Sequence, residues 1–279
     1  MSERAEFAIR RILVALDASA LSLVALEEAA SLAAAMEAEL TGLFVEDINL
    51  VRIAALPFAR QLSFPSGAEE PMSSTRIDRE LRARGELARK ALAAAAERRH
   101  TPWSFRTVRG QVTGEILAAA SQADLIFFGK TGWSPAQSLG STALALIARV
   151  PGAVVLVQQE VPRGDPILTL YDGSSGGRQA VETALRLANA RQVGLVVFIS
   201  SDTPEAGERL QQQAMQVVGN RLPGARFLRM HNRDPRRFAQ ALRAEGGGLL
   251  VLAGDSPVAQ EAAIRQLLEL TRNPVLLIR

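Results

Sequence analysis

The sequence predicts an α/β protein made of two similar domains in tandem, each a parallel sheet covered by helices. Three observations predict it. The strand candidates are short, continuous apolar runs such as Ile12–Leu16, Leu125–Phe128 and Ala153–Val157, as expected of strands buried on both faces. They alternate with segments of helical periodicity. The pattern then starts again after a polar break at 158–165 that contains Pro162 and Gly164.

The elements follow in order. RILVAL (11–16) reads as a strand ending at Asp17, and Ser19 to Glu37 as a helix rich in Ala and Leu. Glu39–Val45 is the second strand. The segment 46–74 carries Pro57, Pro65, Gly67 and Pro71 and reads as irregular, with a short helix at Ile48–Ala55. A connection of that length marks a lid, a binding loop or an interface. Its Phe58, Phe64 and Met72 predict that it is partly buried. Helix resumes over Ser74–Arg99, followed by a strand at Trp103–Val108, a helix at Val112–Ser121 and a strand at Asp124–Phe128. GKTGWSPAQSLGST (129–142) leaves that strand, with a helix at Ala143–Arg149 and a last strand at Ala153–Val157.

In the second half, strands are expected at Ile167–Tyr171, Gly194–Ile199, Arg226–Met230, Leu249–Ala253 and Pro274–Ile278. Helices are expected at Ser175–Ala190, Pro204–Val218, Pro235–Ala244 and Val258–Leu270. The halves align in detail. RILVALDAS (11–19) answers PILTLYDGS (166–174), and DLIFFG (124–129) answers GLLVLAG (248–254). The helix-flanking run 105–120 answers 227–242, and PGAVVLV (151–157) answers NPVLLI (273–278). The matched strand ends and the Pro/Gly break oppose the alternative of one continuous doubly wound domain. Domains of 1–160 and 161–279 follow.

Composition narrows the function classes. The chain has no cysteine and two histidines, His100 and His231, which removes disulfides, thiolate metal sites and cysteine nucleophiles and disfavours a multi-histidine metal site. Carboxylate-bound Mg²⁺ stays open, because it needs only oxygen ligands and a substrate's phosphates. A net charge of +3 is too small to predict a nucleic-acid partner. The N-terminus lacks an apolar signal core, and Leu21–Leu43 is broken by Glu27, Glu28, Glu37 and Glu39, so neither secretion nor a membrane span is expected. A cytoplasmic location is the expectation.

In open parallel sheets ligands bind beyond the carboxyl ends of the strands, where the strand order reverses. In the first half Asp17, Ala18 and Ser19 end strand one, Phe44–Asp47 ends strand two, and Gly129–Thr142 leaves strand four. Gly129 and Gly132 permit a tight turn and a close ligand approach. Gly140, Ser141 and Thr142 open the next helix, where backbone N–H groups and hydroxyls can cradle phosphate. Lys130 lies in the same loop. Asp17 suits a hydrogen bond to ribose or base, or a Mg²⁺ carried on the phosphates. Helix capping is the alternative reading of both Asp17 and Asp172. The loop is neither a Walker A sequence nor an early GxGxxG, so the residues alone give a nucleotide-binding candidate.

On these motifs the chain resembles the universal stress protein family in its tandem two-domain form. The resemblance implies three-layer α/β/α domains, each with a five-stranded parallel sheet in the order 3-2-1-4-5 (the adenine nucleotide alpha-hydrolase-like fold). It also implies an adenine-nucleotide site. Asp17 matches the family's aspartate at the end of strand one. Val45 falls where strand two meets adenine, and Val108 and Gly110 match the flanking segment after strand three. Gly129, Gly132, Gly140 and Ser141 match the Gly-x₂-Gly-x₉-Gly-Ser/Thr loop, with Thr142 beside them. Seven residues separate Gly132 from Gly140 where the family pattern has nine, so the loop should wrap the phosphates differently. ATP is the first expectation, with ADP and AMP compatible and Mg²⁺ an accompaniment. In the second half Asp255-Ser256-Pro257 replaces the second glycine region, and that half reads as a degenerate domain. The resemblance further implies an internal pseudo-dimer through the last strands, on which a homo-oligomer could be built.

The implied function is regulatory or stress-responsive, with nucleotide occupancy read by a partner protein. The alternatives are a nucleotide-independent interaction module and a weak ATP-hydrolysing or phosphoryl/adenylyl-transfer enzyme. No residue is a convincing general base, so slow ATP hydrolysis is the most that is expected of catalysis.

Overall fold

A computed structural model describes residues 9–62, 69–130, 141–160, 162, 164–231 and 234–279. The first half runs β1 (Arg11–Leu16), α1 (Ala20–Ala35), β2 (Glu39–Asp47), α2 (Ile48–Ala54), β3 (Arg60–Leu62), β4 (Glu69–Pro71), α3 (Ser74–Glu97), β5 (Trp103–Gly110), α4 (Val112–Ala120), β6 (Leu125–Gly129), α5 (Ser141–Arg149) and β7 (Ala153–Val157). The second runs β8 (Ile167–Tyr171), α6 (Ser175–Arg191), β9 (Leu195–Ser201), α7 (Pro204–Val218), β10 (Arg226–His231), α8 (Pro235–Ala244), β11 (Leu250–Ala253), α9 (Glu261–Leu270) and β12 (Val275–Ile278).

The main sheet has ten strands in the order β10-β9-β8-β11-β12-β7-β6-β1-β2-β5. From each outer edge inward this is 3-2-1-4-5, twice, as expected. Within each half the pairs are parallel. The halves join where β12 pairs antiparallel with β7, with Leu276 opposite Val155. The predicted internal pairing is therefore the centre of one continuous sheet.

Helices cover both faces because the strands are apolar on both. One core joins α1, α3, α6 and α7 to one set of strand side chains, and the other joins α4, α5, α8 and α9 to the alternating set. Each core runs through both halves. Fully buried side chains such as Phe127, Leu146 and Phe198 each contribute roughly 1.5–3 kcal/mol by leaving water. Side chains also cross the seam. Gln158 Nε2 donates to the Asn273 carbonyl at 2.9 Å, and Arg191 on α6 pairs with Glu28 on α1 at 3.0 Å. The Arg279 guanidinium donates to the Ile147 and Val150 carbonyls at the end of α5.

Three expectations are corrected. The irregular segment after β2 holds, besides α2, a small antiparallel hairpin of β3 and β4. Its Met72 packs on a separate small core of Ala54, Ile77 and Leu81, but Phe58 is 77% exposed rather than buried. Phe64 lies outside the described residues. The expected helix 258–270 is a 3-10 turn at Pro257–Ala259 followed by α9, because Gln260 returns to extended backbone (ψ 148) between them. No described helix is long and apolar enough to cross a membrane.

Candidate functional site

A cavity of about 300 Å³ opens beyond the carboxyl ends of β1, β2 and β6, where the strand order reverses between β1 and β6. Ala15–Asp17 line it from β1, Leu43–Val45 and Asp47 from β2, and Phe128–Lys130 from β6. Helices supply the remaining walls: Leu50 of α2, Leu81 and Arg84 of α3, Val112 and Ile116 of α4, and Thr142, Ala143 and Leu146 of α5. The interior is thus apolar with a few polar groups near the strand ends, the usual chemistry of a small-molecule site.

Local sequence explains the polar groups. Asp17 accepts a hydrogen bond from the Ser19 N–H at 2.9 Å, and Ser19 caps α1 by accepting from the Ser22 N–H at 3.2 Å. Ala18 between them has φ 61, a left-handed conformation unusual for a residue with a Cβ. Asp17 therefore braces the turn and also lines the cavity. Asp47 caps α2 through the Asn49 N–H at 2.9 Å. Gly129 sits where a Cβ would come within 3.1 Å of Leu21 Cβ and 3.2 Å of its backbone carbon, so glycine lets β6 approach the first turn of α1. The α5 N-terminus faces the cavity through Thr142 and carries no carboxylate in its first turn, which suits an anion.

The expected residues divide into groups. Asp17, Val45, Gly129, Lys130 and Thr142 line the cavity. Ala18 and Ser19 form its adjoining turn. Val108 and Gly110 lie one strand outward on β5, opposite Val45 and Asp47, with the Glu115 side chain packed against Gly110. Ser141 is the first residue of α5. Gly132 and Gly140 lie outside the described residues. The Lys130 ammonium donates to the Leu268 carbonyl in the second half at 3.1 Å, and burial lowers its pKa from the ordinary lysine value. Among the described residues no cluster of three or more metal-ligating side chains occurs; Asp17 and Asp47 are the carboxylates that line the cavity.

Sequence reasoning placed Asp47 at the end of strand two but missed Arg84, which lines the cavity, and Arg109. Arg109 on β5 donates to Glu46 at 2.8 Å and to Asp78 on α3 at 2.9 Å. It ties two strand ends to the helix that carries Leu81 and Arg84. Those hydrogen bonds and the Glu46 charge raise its pKa further.

The corresponding turn of the second half is built differently. Asp172 accepts from both the Ser174 N–H (3.0 Å) and its hydroxyl (2.6 Å), and the left-handed position is Gly173 at φ 86. Asp255, the counterpart of Lys130, places its carboxylate against Gly176 in the first turn of α6. Leu210 of α7 lies over Gly173.

A sequence model described as the universal stress protein family matches residues 8–158. No curated protein matches the chain. Among solved structures, a universal stress protein from Archaeoglobus fulgidus is similar at TM-score 0.70 and 16% identity, over 98% of this chain and 97% of that one. A putative universal stress protein from Pseudomonas aeruginosa is similar at TM-score 0.63 and 14% identity, over 98% and 94%. These likenesses extend the family fold across both halves.

Proposed function

The chain belongs to the universal stress protein family, and on that premise we propose that its first half binds an adenine nucleotide, ATP foremost, as a regulatory or stress-response signal. The observation that carries this reading is the cavity at the β1/β6 reversal, which gathers Asp17, Val45, Gly129 and Thr142 between apolar walls. Residues 1–160 are then the nucleotide domain and 161–279 a degenerate domain retained for pairing.

In this reading Val45 and the apolar wall hold adenine, and Asp17 takes the ribose, the base or a Mg²⁺ on the phosphates. Gly129, Gly132, Gly140, Ser141 and Thr142 serve the phosphates at the α5 N-terminus. Mg²⁺, when bound, would neutralise phosphate charge. ADP and AMP use the same contacts with fewer phosphates. Occupancy changes a surface read by a regulatory protein, in the cytoplasm, on a homo-oligomer built from the internal pseudo-dimer. The test is mass spectrometry of nucleotide released from purified protein on mild denaturation, with calorimetry of ATP, ADP and AMP. Released or titratable adenine nucleotide supports the reading; a clean protein that binds none of the three sinks it. That second outcome favours a nucleotide-independent interaction module, for which the exposed Ile53, Leu56 and Phe58 after β2 are the starting point.

A further inference from the structure

Part of the cavity wall is tied to the other half of the chain. Lys130 leaves β6 with its N–H bonded to the Val157 carbonyl of β7 at 2.8 Å, so its backbone extends the β6/β7 ladder. Its side chain lines the cavity, and its ammonium donates to the Leu268 carbonyl at 3.1 Å. Leu268 lies in the last turn of α9, and Thr271 beyond it returns to extended backbone (ψ 160). The Leu268 carbonyl is thus one of the last four of its helix, which no later turn can satisfy. A lysine at a helix C-terminus meets that need and faces the negative end of the dipole. The first half therefore caps a helix of the second with a residue of its own cavity wall.

The seam carries the reverse contact as well. Arg279, just after β12, donates to the Ile147 and Val150 carbonyls at the end of α5, and the start of α5 meets the cavity at Thr142. Helices α5 and α9 pack on each other across the seam. Lys130 and α5, which border the same cavity of about 300 Å³, are thus both held from the second half.

An ammonium has three donors, and the Leu268 carbonyl takes one. The four-carbon stem lets the head turn without moving the backbone. An anion seated at the start of α5 can accept from a second donor while the cap stays in place, and that bond is charge-assisted. We propose that Lys130 bridges the ligand's anionic group to the carbonyl end of α9, so that the second half positions a residue of the first half's site and registers its occupancy. This rests on the nucleotide reading above and gives a part in it to the half without a glycine-rich loop.

The test is hydrogen exchange of the full chain, read over α9 and Thr271, without ligand and at saturating adenosine or ATP. Native protein and Lys130→Met are compared, with calorimetry of both ligands alongside. ATP is expected to slow exchange in the last turn of α9 by about threefold or more, and adenosine, which lacks the anion, by less than about 1.5-fold. In Lys130→Met that turn should exchange faster before any ligand is added, and ATP should no longer slow it. ATP affinity should fall about tenfold in this variant and adenosine affinity by less than about twofold. Equal slowing by adenosine, a response that survives in Lys130→Met, or no response in a native protein that binds ATP overturns the bridge and leaves the nucleotide site standing. A native protein that binds neither ligand overturns both. If Lys130→Met fails to fold, the native protein decides, because ATP must slow the α9 turn more than adenosine does.

Discussion

The two halves share one backbone plan and differ in which element carries bulk at the mouth of strand four. In the first half α1 presents Leu21 and β6 ends in Gly129, whose missing Cβ leaves space against that helix. In the second half the helix residue is Gly176, and the exit from β11 carries Asp255, whose carboxylate lies against it. A carboxylate beside the first turn of α6 lies near the positive end of that helix and would repel phosphate. Above the turn, α3 brings Leu81 and Arg84 to the first site, whereas α7 lays Leu210 over Gly173 in the second. The difference teaches that strand exits can be rebuilt without changing the fold, as the proposed loss of the second ligand site requires. The strands, their order and the seam persist while the strand exits diverge.

The comparison breaks most completely at the seam that both halves share. Leu276 on β12 is 1% exposed and opposite Val155. Leu276→Asp would bury an unpaired carboxylate inside the core that α1, α3, α6 and α7 cover, at a cost of about 4 kcal/mol or more. The expected outcome is loss of cooperative unfolding for the whole chain, followed by circular dichroism in urea. Unfolding of the second half alone, with the first half melting as before, would show that the halves are energetically separate.

The next effect separates the sites. Asp17→Asn is expected to weaken ATP about tenfold to a hundredfold, the cost of one charge-assisted contact. Asp172→Asn is expected to leave ATP affinity within about twofold of the native value, because Asp172 serves the Ser174 turn. Calorimetry of both variants decides it, and a loss at Asp172 equal to that at Asp17 would restore the second half as a site.

Much of this was legible in the sequence. Strands buried on both faces announce themselves as unbroken apolar runs, so Arg11–Leu16 and Ile167–Tyr171 were placed correctly, and the repeated DxS after each aligned the halves. The pairing of the two last strands followed from the family resemblance. Other features depend on packing. Helix α3 carries Arg76, Arg79, Arg82, Arg84 and Arg89, and no pattern among five arginines tells which one reaches a cavity; the small core around Leu81 decides that. Phe58 was read as buried on its type alone, yet the hairpin after it leaves it in solvent. The missing glycine after Gly254 was visible, but the occupation of α6's first turn by Asp255 was not. The Gly176-Gly177 pair was the one signal that could have suggested it.

A smaller effect tests the cross-seam cap. The Arg279 guanidinium donates to the Ile147 and Val150 carbonyls at the end of α5, the helix whose other end faces the cavity. Across the same seam, Gln158 just after β7 donates to the Asn273 carbonyl. Arg279→Ala should cost roughly 1.5 kcal/mol, because it removes a charged donor from otherwise unsatisfied helix-end carbonyls. Gln158→Ala, a neutral loss, should cost nearer about 0.5–1 kcal/mol. Urea midpoints of the two variants measure the asymmetry, and a larger loss at Gln158 would reverse it.

The smallest effect is the most direct comparison of the two turns. Ala18 at φ 61 and Gly173 at φ 86 occupy the same place between aspartate and capping serine. Left-handed backbone costs an alanine about 1–2 kcal/mol, and glycine avoids that at an entropic cost of roughly 0.5–1 kcal/mol in the unfolded chain. Ala18→Gly should therefore stabilise the protein slightly, by about 0.5 kcal/mol. Gly173→Ala should destabilise it by roughly 1 kcal/mol, since the new methyl also meets Leu210 Cδ2, 2.6 Å from the Cβ position. If Ala18 holds Asp17 in place for a ligand, Ala18→Gly should also weaken ATP binding while raising the urea midpoint. A rise in stability with unchanged ATP affinity would make the strained alanine incidental to the site, and a fall in stability would mean that the Ala18 methyl makes packing contacts worth more than its strain.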